Sequence, residues 1–323
     1  MPRIDYYRRI FSAYIGGRNS QLTFWHDDPR VNPEFRPDEL AGYYMPFTEK
    51  ALYPGPYDSQ GIPMLNYHGA IGLQYNPIAI AQYGLGNHNL YRKTGDPRKR
   101  RLFLLMADWM AGNLERNHAR LWVWMHHFDW EYRQILKKPW YSALAQGQGI
   151  SLLMRAYQET GDLHYLESAH RAFASFKAGI SDGGVTHVDE SGRVWFEEYV
   201  VWPPTHILNG FIWASWGVYD YALATNDSTA RNLFDQAVLT LSSTLANFDT
   251  GFWSLYERSS TLLPMLASKF YHSLHIVQLR VMFQLTGNPQ FNHFADRWES
   301  YRSNTWNRTR ALAGKVLFKL FYY

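Results

Sequence analysis

Four similar turns recur along the chain at a nearly constant spacing, and this repeat constrains the fold more than any other feature. The turn T-G-D at residues 94–96 recurs at 160–162, as T-N-D at 225–227 and as T-G-N at 286–288, so neighbouring copies lie about 65 residues apart. Each turn carries Gly or Asn, which end a helix in the left-handed conformation, followed by Asp or Asn, which can cap the next helix. Units of this kind stack because one unit alone cannot bury its apolar face.

Apolar periodicity predicts one helix before and one helix after each turn. The first helices are predicted at 77–93, 148–159, 208–224 and 272–285, and the second helices at 98–115, 164–178, 229–246 and 290–302. Because the first helices are the more apolar and aromatic, we place them inside and the more charged second helices outside. The sequence therefore predicts a mainly α protein, an (α/α) toroid or incomplete barrel of about four helix pairs.

The chain divides into three predicted parts. Residues 1–62 are rich in Pro, Tyr and Asp, which predicts a short irregular or β N-terminal arm packed on the body. Residues 63–305 form the toroid. Residues 306–323 combine Arg and Lys with Leu, Val and Phe, which predicts a basic amphipathic C-terminal tail. Such a tail either touches a membrane surface or packs on the body as a strap.

The segments that lead into the four inner helices are expected on one rim of the toroid. Polar side chains of these segments would therefore converge on one site, as enzyme sites gather on the loops of a rigid scaffold. Glu198 stands beside aromatic residues, and an apolar wall raises the pKa of a carboxyl group and suits it to act as a base. The candidates on this rim are Tyr75, Gln146, Gln148, Glu197, Glu198, Tyr199, Asn209, Tyr271, His272 and His275.

A further segment, residues 250–258, has the pattern of a β-hairpin near the site. It would place Tyr256 and Arg258 over the rim. A tyrosine can donate a proton to a carbanion, or act as a base where cations lower its pKa from about 10. His272 and His275 share one helix face, but no third ligand has a recognisable spacing, so no metal site is predicted.

Composition narrows the class of partner. The chain has 13 Trp, 23 Tyr and 19 Phe, and aromatic faces stack on sugar rings. A net charge of +4 favours an anionic partner such as an acidic polysaccharide, and no known nucleic-acid-binding motif is present. There is no cysteine, which excludes disulfides and thiolate metal sites. The N-terminus lacks the apolar stretch of a signal peptide, so we expect a cytoplasmic protein, with membrane association through the tail and a homodimer left open.

Four segments, taken in order, resemble the C-terminal domain of the D-glucuronyl C5-epimerases, the heparan sulfate and heparosan enzymes. The segments are I-A-Q-Y-G-L at 80–85, Y-S-A-L-A-Q-G-Q-G-I-S at 141–151, E-E-Y at 197–199 with L-N-G-F at 208–211, and Y-H-S-L-H-I at 271–276. The resemblance implies an (α/α) toroid that acts on hexuronic acid residues of a polymer. It places the family's catalytic glutamate at Glu198 and its active-site tyrosines at Tyr199, Tyr256 and Tyr271.

The reaction implied by the resemblance converts D-glucuronate into L-iduronate in a heparosan-like polymer. It removes the C5 proton and returns a proton from the opposite face, without a redox cofactor. Glu198 is expected to work on one face and Tyr271 on the other, with Tyr199 and Tyr256 in support and Arg258, His275, Gln146 and Asn209 as substrate contacts. Alternatives that the residues leave open are a uronate lyase, a glycoside hydrolase and a non-catalytic glycan-binding module.

Overall fold

The computed structural model describes residues 22–25, 28–132 and 135–322. Most of this chain is helical, and the strands are short antiparallel pairs. The helices are α1 (Leu22–Trp25), α2 (Thr48–Ala51), α3 (Pro77–Thr94), α4 (Pro97–Gly112), α5 (Ala143–Thr160), α6 (Leu163–Phe173), α7 (Leu208–Thr225), α8 (Ser228–Thr244), α9 (Lys269–Thr286), α10 (Pro289–Ser303) and α11 (Thr305–Tyr322). The strand pairs are β1 (Leu65–Asn66) with β2 (Leu73–Gln74), β3 (Glu115–Arg116) with β4 (Trp122–Val123), β5 (Trp130–Glu131) with β6 (Ile135–Leu136), and β7 (Thr186–Val188) with β8 (Val194–Phe196).

The eight helices from α3 to α10 form the four predicted pairs of an (α/α) toroid. The first helix of each pair lies inside, where α3 packs on α5, α5 on α7 and α7 on α9. These inner helices are buried over most of their length, whereas the outer helices bury only one face. The predicted fold class and the assignment of inner and outer helices are therefore confirmed.

The four turns share one local chemistry, as the repeat predicted. Gly95, Gly161, Asn226 and Gly287 have φ angles of 69°, 73°, 55° and 68°, so each ends its inner helix in the left-handed conformation. The next residue is Asp or Asn, whose side chain accepts a hydrogen bond from the first turn of the outer helix. Local sequence therefore fixes where each helix ends and the next begins.

Residues 28–62 lie on the inner helices and contain only the short helix α2 as regular structure. The Tyr44 hydroxyl donates to the Asp220 carboxylate of α7, 2.6 Å away, and Asp220 also forms a buried ion pair with Arg155 of α5. The arm is thus tied to two inner helices through one buried charge pair. The part of the predicted arm at residues 1–21, 26 and 27 lies outside the described residues.

One element near the rim differs from the prediction. Residues 250–258 form no regular hairpin: the segment makes isolated antiparallel bridges, Asp249 with Ser254 and Leu255 with Leu266. The regular hairpin that leads directly into the E-E-Y segment is β7 with β8. The C-terminal stretch is the helix α11, and no helix of the described residues is long and apolar enough to span a membrane.

Candidate active site

Glu198 lies buried in the loop that leads into the inner helix α7, and its carboxyl group packs against the first turn of that helix. The backbone of its neighbour fixes its position, since Glu197 donates its N–H to the Val185 carbonyl and accepts from the Ala143 N–H at the start of α5. The Asn209 amide donates to the Glu198 carboxylate over 3.3 Å. The carboxylate also rests on Gly210, where an added Cβ would lie 2.2 Å from Oε2. A glycine at this position is therefore what allows the carboxyl group to pack against the helix.

Burial, and after it the negative charge of Glu257, raises the pKa of the Glu198 carboxyl to about 8. Asn209 and Tyr256 oppose this shift because their hydrogen bonds stabilise the ionised form. A carboxyl group with this pKa is a far stronger base than an exposed glutamate. It can therefore take a proton from carbon and give one back near neutral pH.

Three tyrosines predicted for the site gather around Glu198. The rings of Tyr256 and Tyr271 meet edge to face with centroids 4.9 Å apart, and the Tyr199 hydroxyl accepts from the Trp130 indole over 3.1 Å. Burial raises the pKa of Tyr199 and Tyr256 well above its ordinary value, and the Glu198 charge raises both further. Both phenols therefore keep their protons at neutral pH and can donate hydrogen bonds.

Three further groups complete the cluster, and sequence reasoning did not assign them to the site. The Tyr132 ring packs on Tyr199 with centroids 4.6 Å apart, and the Tyr132 hydroxyl donates to the buried Glu257 carboxylate. Lys315, from α11, places its Nζ 5.2 Å from the Tyr256 ring centroid. In the sequence, Glu257 stands next to the predicted Tyr256, and Lys315 lies in the predicted basic tail.

Glu197 does not join the cluster. Its carboxylate is completely buried and accepts from the His206 Nδ1 over 2.6 Å and from the His206 backbone N–H over 3.1 Å. His206 has a φ of 48°, a conformation that is rare for a residue with a side chain, and the two contacts hold it there. The substrate-contact prediction for Glu197 is therefore not supported: this side chain fixes the loop that carries Glu198.

Gln146 and Gln148 lie in the interior of the toroid instead of on the rim. Gln146 is fully buried, accepts from the Trp124 N–H and donates to the Ala172 carbonyl and the Ser175 hydroxyl. Gln148 is equally buried and accepts from the Gln82 amide on α3. These amides join helices to each other, so the structure does not bring them to a substrate.

His272 and His275 are also directed into the core. Both Nδ1 atoms hydrogen-bond the Ser254 hydroxyl, at 2.7 and 3.0 Å, and the His272 ring stacks on Trp253. Burial lowers the pKa of both imidazoles, so they are neutral at pH 7. The pair anchors residues 250–258 to α9, and the described residues contain no group of three or more His, Cys, Asp and Glu side chains that could hold a metal ion.

Tyr75 and Arg258 point away from the cluster. The Tyr75 hydroxyl donates to Asp58, and its ring lies beside Trp109 of the outer helix α4. The Arg258 guanidinium lies over the Phe248 ring, and the nearby positive charge of Arg193 adds to burial in lowering its pKa. Of the predicted residues, the structure thus brings together Glu198, Tyr199, Asn209, Tyr256 and Tyr271.

The family model described as D-glucuronyl C5-epimerase C-terminus matches residues 116–300. The chain belongs to this family. The epimerase family indicated by the sequence motifs is thereby confirmed, and the matched segment contains Glu198 and the three predicted tyrosines. Lys315 lies beyond its end.

Two relatives extend the comparison with this epimerase family. The chain is 34% identical over 215 residues to a D-glucuronyl C5-epimerase of Caenorhabditis elegans, a match that covers 62% of this chain and 34% of that protein. It is 27% identical over 267 residues to an uncharacterized protein of Methanocaldococcus jannaschii, covering 76% of this chain and 85% of that one. The chain therefore spans about a third of the length of the Caenorhabditis elegans protein.

Solved structures resemble this epimerase-family chain in fold. The cellobiose 2-epimerase of Spirochaeta thermophila superposes with a TM-score of 0.52 at 11% identity, covering 79% of this chain and 65% of that one. The unsaturated glucuronyl hydrolase of Bacillus sp. GL1 gives a TM-score of 0.48 at 14% identity, covering 70% and 62%. The first of these likenesses supports the toroid fold.

Proposed function

We propose that the chain is a polysaccharide uronate C5-epimerase that converts D-glucuronate into L-iduronate residues in a heparosan-like polymer. The observation that carries the proposal is the buried Glu198 carboxyl group in contact with a cluster of phenols, in a chain of the epimerase family. Proton exchange at a carbon next to a carboxylate requires one base, one acid on the opposite face, and donors that stabilise the enolate-like intermediate.

Glu198 acts as the base on one face of the sugar ring in this proposal. Its pKa of about 8 leaves enough of the carboxylate at neutral pH and makes that carboxylate a strong proton acceptor. Tyr271 delivers the proton to the opposite face. Tyr199 and Tyr256 keep their own protons, so they can donate hydrogen bonds to the charge that develops on the uronate carboxyl group. Glu198 and Tyr271 perform the exchange with proton transfers alone.

The test is deuterium incorporation at C5 of glucuronate in heparosan, measured by NMR after incubation in heavy water. The wild-type chain should exchange C5–H without shortening the polymer and without forming an unsaturated product. Glu198→Gln should lower the rate by roughly 10²- to 10⁴-fold, the usual contribution of a positioned base. Glu167→Gln, on the exposed face of α6, is the matched control and should keep the wild-type rate.

The pH dependence checks the same assignment. Because the base must be deprotonated, kcat/KM should rise as the pH increases through about 8, the pKa of Glu198. A near-normal rate for Glu198→Gln, or a pH profile that is flat from 6 to 9, would remove Glu198 from the role of base.

A second candidate function is glycoside hydrolysis, because the structure places a second carboxylate, Glu257, close enough to raise the pKa of Glu198. Glycoside hydrolysis requires two carboxyl groups in one active site. The Tyr132 hydroxyl, however, binds the Glu257 carboxylate. New reducing ends without deuterium at C5 would favour hydrolysis, and an unsaturated product absorbing in the near ultraviolet would indicate a lyase.

We further propose that the outer face of α11 contacts an anionic membrane surface. This helix has no acidic residue; Arg308 and Arg310 are exposed and Lys319 is half-buried, whereas Lys315 is buried on the inner face. Its exposed apolar side chains are Trp306, Leu312, Val316, Leu317, Leu320 and Phe321. An apolar stripe accompanied by positive charges alone suits anionic lipid better than a second copy, whose matching helix would repel it.

A further inference from the structure

Lys315 is a charged residue on the buried face of an otherwise apolar helix contact. The same face of α11 buries Ala311 and Phe318, which pack in one hydrophobic cluster with Tyr132 and Tyr256. Only 8% of Lys315 is exposed, and its Nζ lies over the Tyr256 ring. Burying an ammonium group is costly, and an apolar side chain would serve packing alone better. The charge therefore points to a task other than holding the helix in place.

The charges around Lys315 show what that task is. Burial lowers its pKa to about 8, while the Glu257 carboxylate favours the charged form. The titratable groups that interact with Lys315 or lie in the cluster beside it are Glu257, Tyr256, Tyr271, Tyr132, Tyr199, Glu198, His275 and, on α11 itself, Lys319. Within this set the histidine is neutral and the phenols Tyr199 and Tyr256 are protonated, and Lys315 supplies a positive charge that interacts with the Glu257 carboxylate.

Catalysis adds negative charge to this cluster. When Glu198 ionises and a uronate is bound, Glu198, Glu257 and the substrate bring three carboxylates together. Each like charge nearby disfavours ionisation of the others and weakens binding of an anion. A single ammonium within the cluster reduces both effects.

We propose that Lys315 is a positioning residue of the site. Its ammonium group, which lies over the Tyr256 ring, offsets the negative charge of Glu257 and so allows Glu198 to ionise while a uronate carboxylate is bound. This inference rests on the proposed function. It assigns the C-terminal helix, which lies outside the matched family segment, to the catalytic apparatus.

The first experiment compares the pH profiles of C5 exchange for Lys315→Met, Lys315→Arg and the double variant Lys315→Met with Glu257→Gln. In Lys315→Met the rise of kcat/KM should move to higher pH by about one unit or more, because an unbalanced carboxylate raises the pKa of Glu198. KM for the polymer should also rise. Neither Lys315→Arg, which keeps the positive charge, nor the double variant, which removes both charges, should show this shift to higher pH. A Lys315→Met profile that coincides with wild type, or a double variant shifted as far as the single one, would overturn the proposal.

The second experiment needs no activity and separates this inference from the proposed function. The folded-state pKa of Glu198 is raised, so its ionisation lowers the free energy of unfolding as the pH rises from about 4.5 to about 8. Urea unfolding across this pH range measures the difference in free energy of unfolding between wild type and Glu198→Gln. The pH at which this difference stops growing reports the folded-state pKa of Glu198. In the Lys315→Met background the difference should keep growing to about pH 9. The same window in both backgrounds would reject the coupling.

The ionisation of Lys315 changes the free energy of unfolding with pH in the opposite direction. Its folded-state pKa lies below the unfolded value of 10.5, so the unfolded chain binds the extra proton and stability should rise with pH from about 8 to 10.5. This rise should vanish in Lys315→Met. If wild type showed no C5 exchange while both stability signatures appeared, the proposed function would fail and the charge coupling would stand. Absence of both signatures would reject the coupling whatever the activity.

Discussion

Glu197 and Glu198 are neighbours in the chain and occupy opposite environments. Glu197 accepts two hydrogen bonds from His206, whereas Glu198 has hydrogen bonds from Asn209 and Tyr256 and a second carboxylate, Glu257, nearby. The first arrangement fixes a side chain in place, and in the second, burial and the neighbouring charge raise the pKa of the Glu198 carboxyl group. Two adjacent glutamates therefore differ in function under the proposed mechanism: Glu197 holds the loop, and Glu198 accepts a proton.

Gly210 is the residue on which this division depends most directly. An added Cβ would overlap the Glu198 carboxylate and its Cβ, at 2.2 and 2.6 Å. We expect Gly210→Ala to displace Glu198 and to lower C5 exchange by about tenfold to a hundredfold, as small displacements of catalytic groups do. Thermal unfolding and exchange rates of the purified variant would be measured together.

The control for this substitution is Gly112→Ala, near the end of α4, where an added Cβ meets nothing within 4 Å. It should leave the exchange rate unchanged and stabilise the helix by roughly 0.5–1 kcal/mol. Equal activity of Gly210→Ala and Gly112→Ala would show that Glu198 tolerates the displacement.

At the scale of elements, α11 presents two different faces. Its inner face closes the cluster with Ala311, Lys315 and Phe318, and its outer face exposes a run of apolar side chains. Local sequence predicts a basic amphipathic tail, but it does not indicate that one of the basic residues is buried. The helix register places Lys315 on the buried face, seven residues before the end of the helix at Tyr322.

The outer face of α11 should bind vesicles that contain anionic lipid. The double variant Leu320→Ser with Phe321→Ser removes two side chains that are 57% and 71% exposed, so folding should be little affected while co-sedimentation with phosphatidylserine vesicles falls several-fold. Leu239→Ser, equally exposed on α8, is the matched control and should sediment like wild type.

Two results would speak against the lipid contact. Equal sedimentation of the double variant and wild type would show that the stripe does not bind the vesicles. A concentration-dependent dimer that Leu320→Ser with Phe321→Ser abolishes would instead assign the stripe to a second copy of the chain.

At the scale of the whole molecule, one of the contacts between the arm and the toroid is a buried ion pair. The Arg155 guanidinium and the Asp220 carboxylate are 2.6 Å apart, and both side chains are 1% exposed. Tyr44 of the arm donates to the same carboxylate. Burying two charges is tolerated only while each keeps its partner, so the pair fixes α5, α7 and the arm in one arrangement.

Breaking this pair should destabilise the whole fold. Asp220→Asn leaves the Arg155 charge buried without compensation and should lower the free energy of unfolding by about 3–5 kcal/mol. Tyr44→Phe removes a single hydrogen bond to a charged group and should cost about 1.5–3 kcal/mol. Urea unfolding of both variants measures these losses, and an Asp220→Asn protein as stable as wild type would show that the pair does not hold the arm.

The turns and helix ends follow from local sequence because their chemistry is local. Gly95 ends α3 and Asp96 caps α4 through contacts that span four residues or fewer, and the same chemistry recurs at Gly161, Asn226 and Gly287. Once the helix pairs repeat, stacking them is the way to bury their apolar faces. The sequence by itself therefore determined the number of pairs, the inner and outer helices and the place of Glu198 in the segment that leads into α7.

The tertiary structure decided which polar side chains meet. Gln146, Gln148, His272 and His275 stand in promising segments, yet packing turns them toward neighbouring helices, where buried polar groups must find partners. Glu257 and Lys315 meet near Glu198 from segments about 60 and 117 residues farther along the chain, and no local pattern records such a contact. Residue types and spacing fix helices because helix bonds are short-range in sequence, whereas the charge around Glu198 depends on distances that exist only in the folded chain.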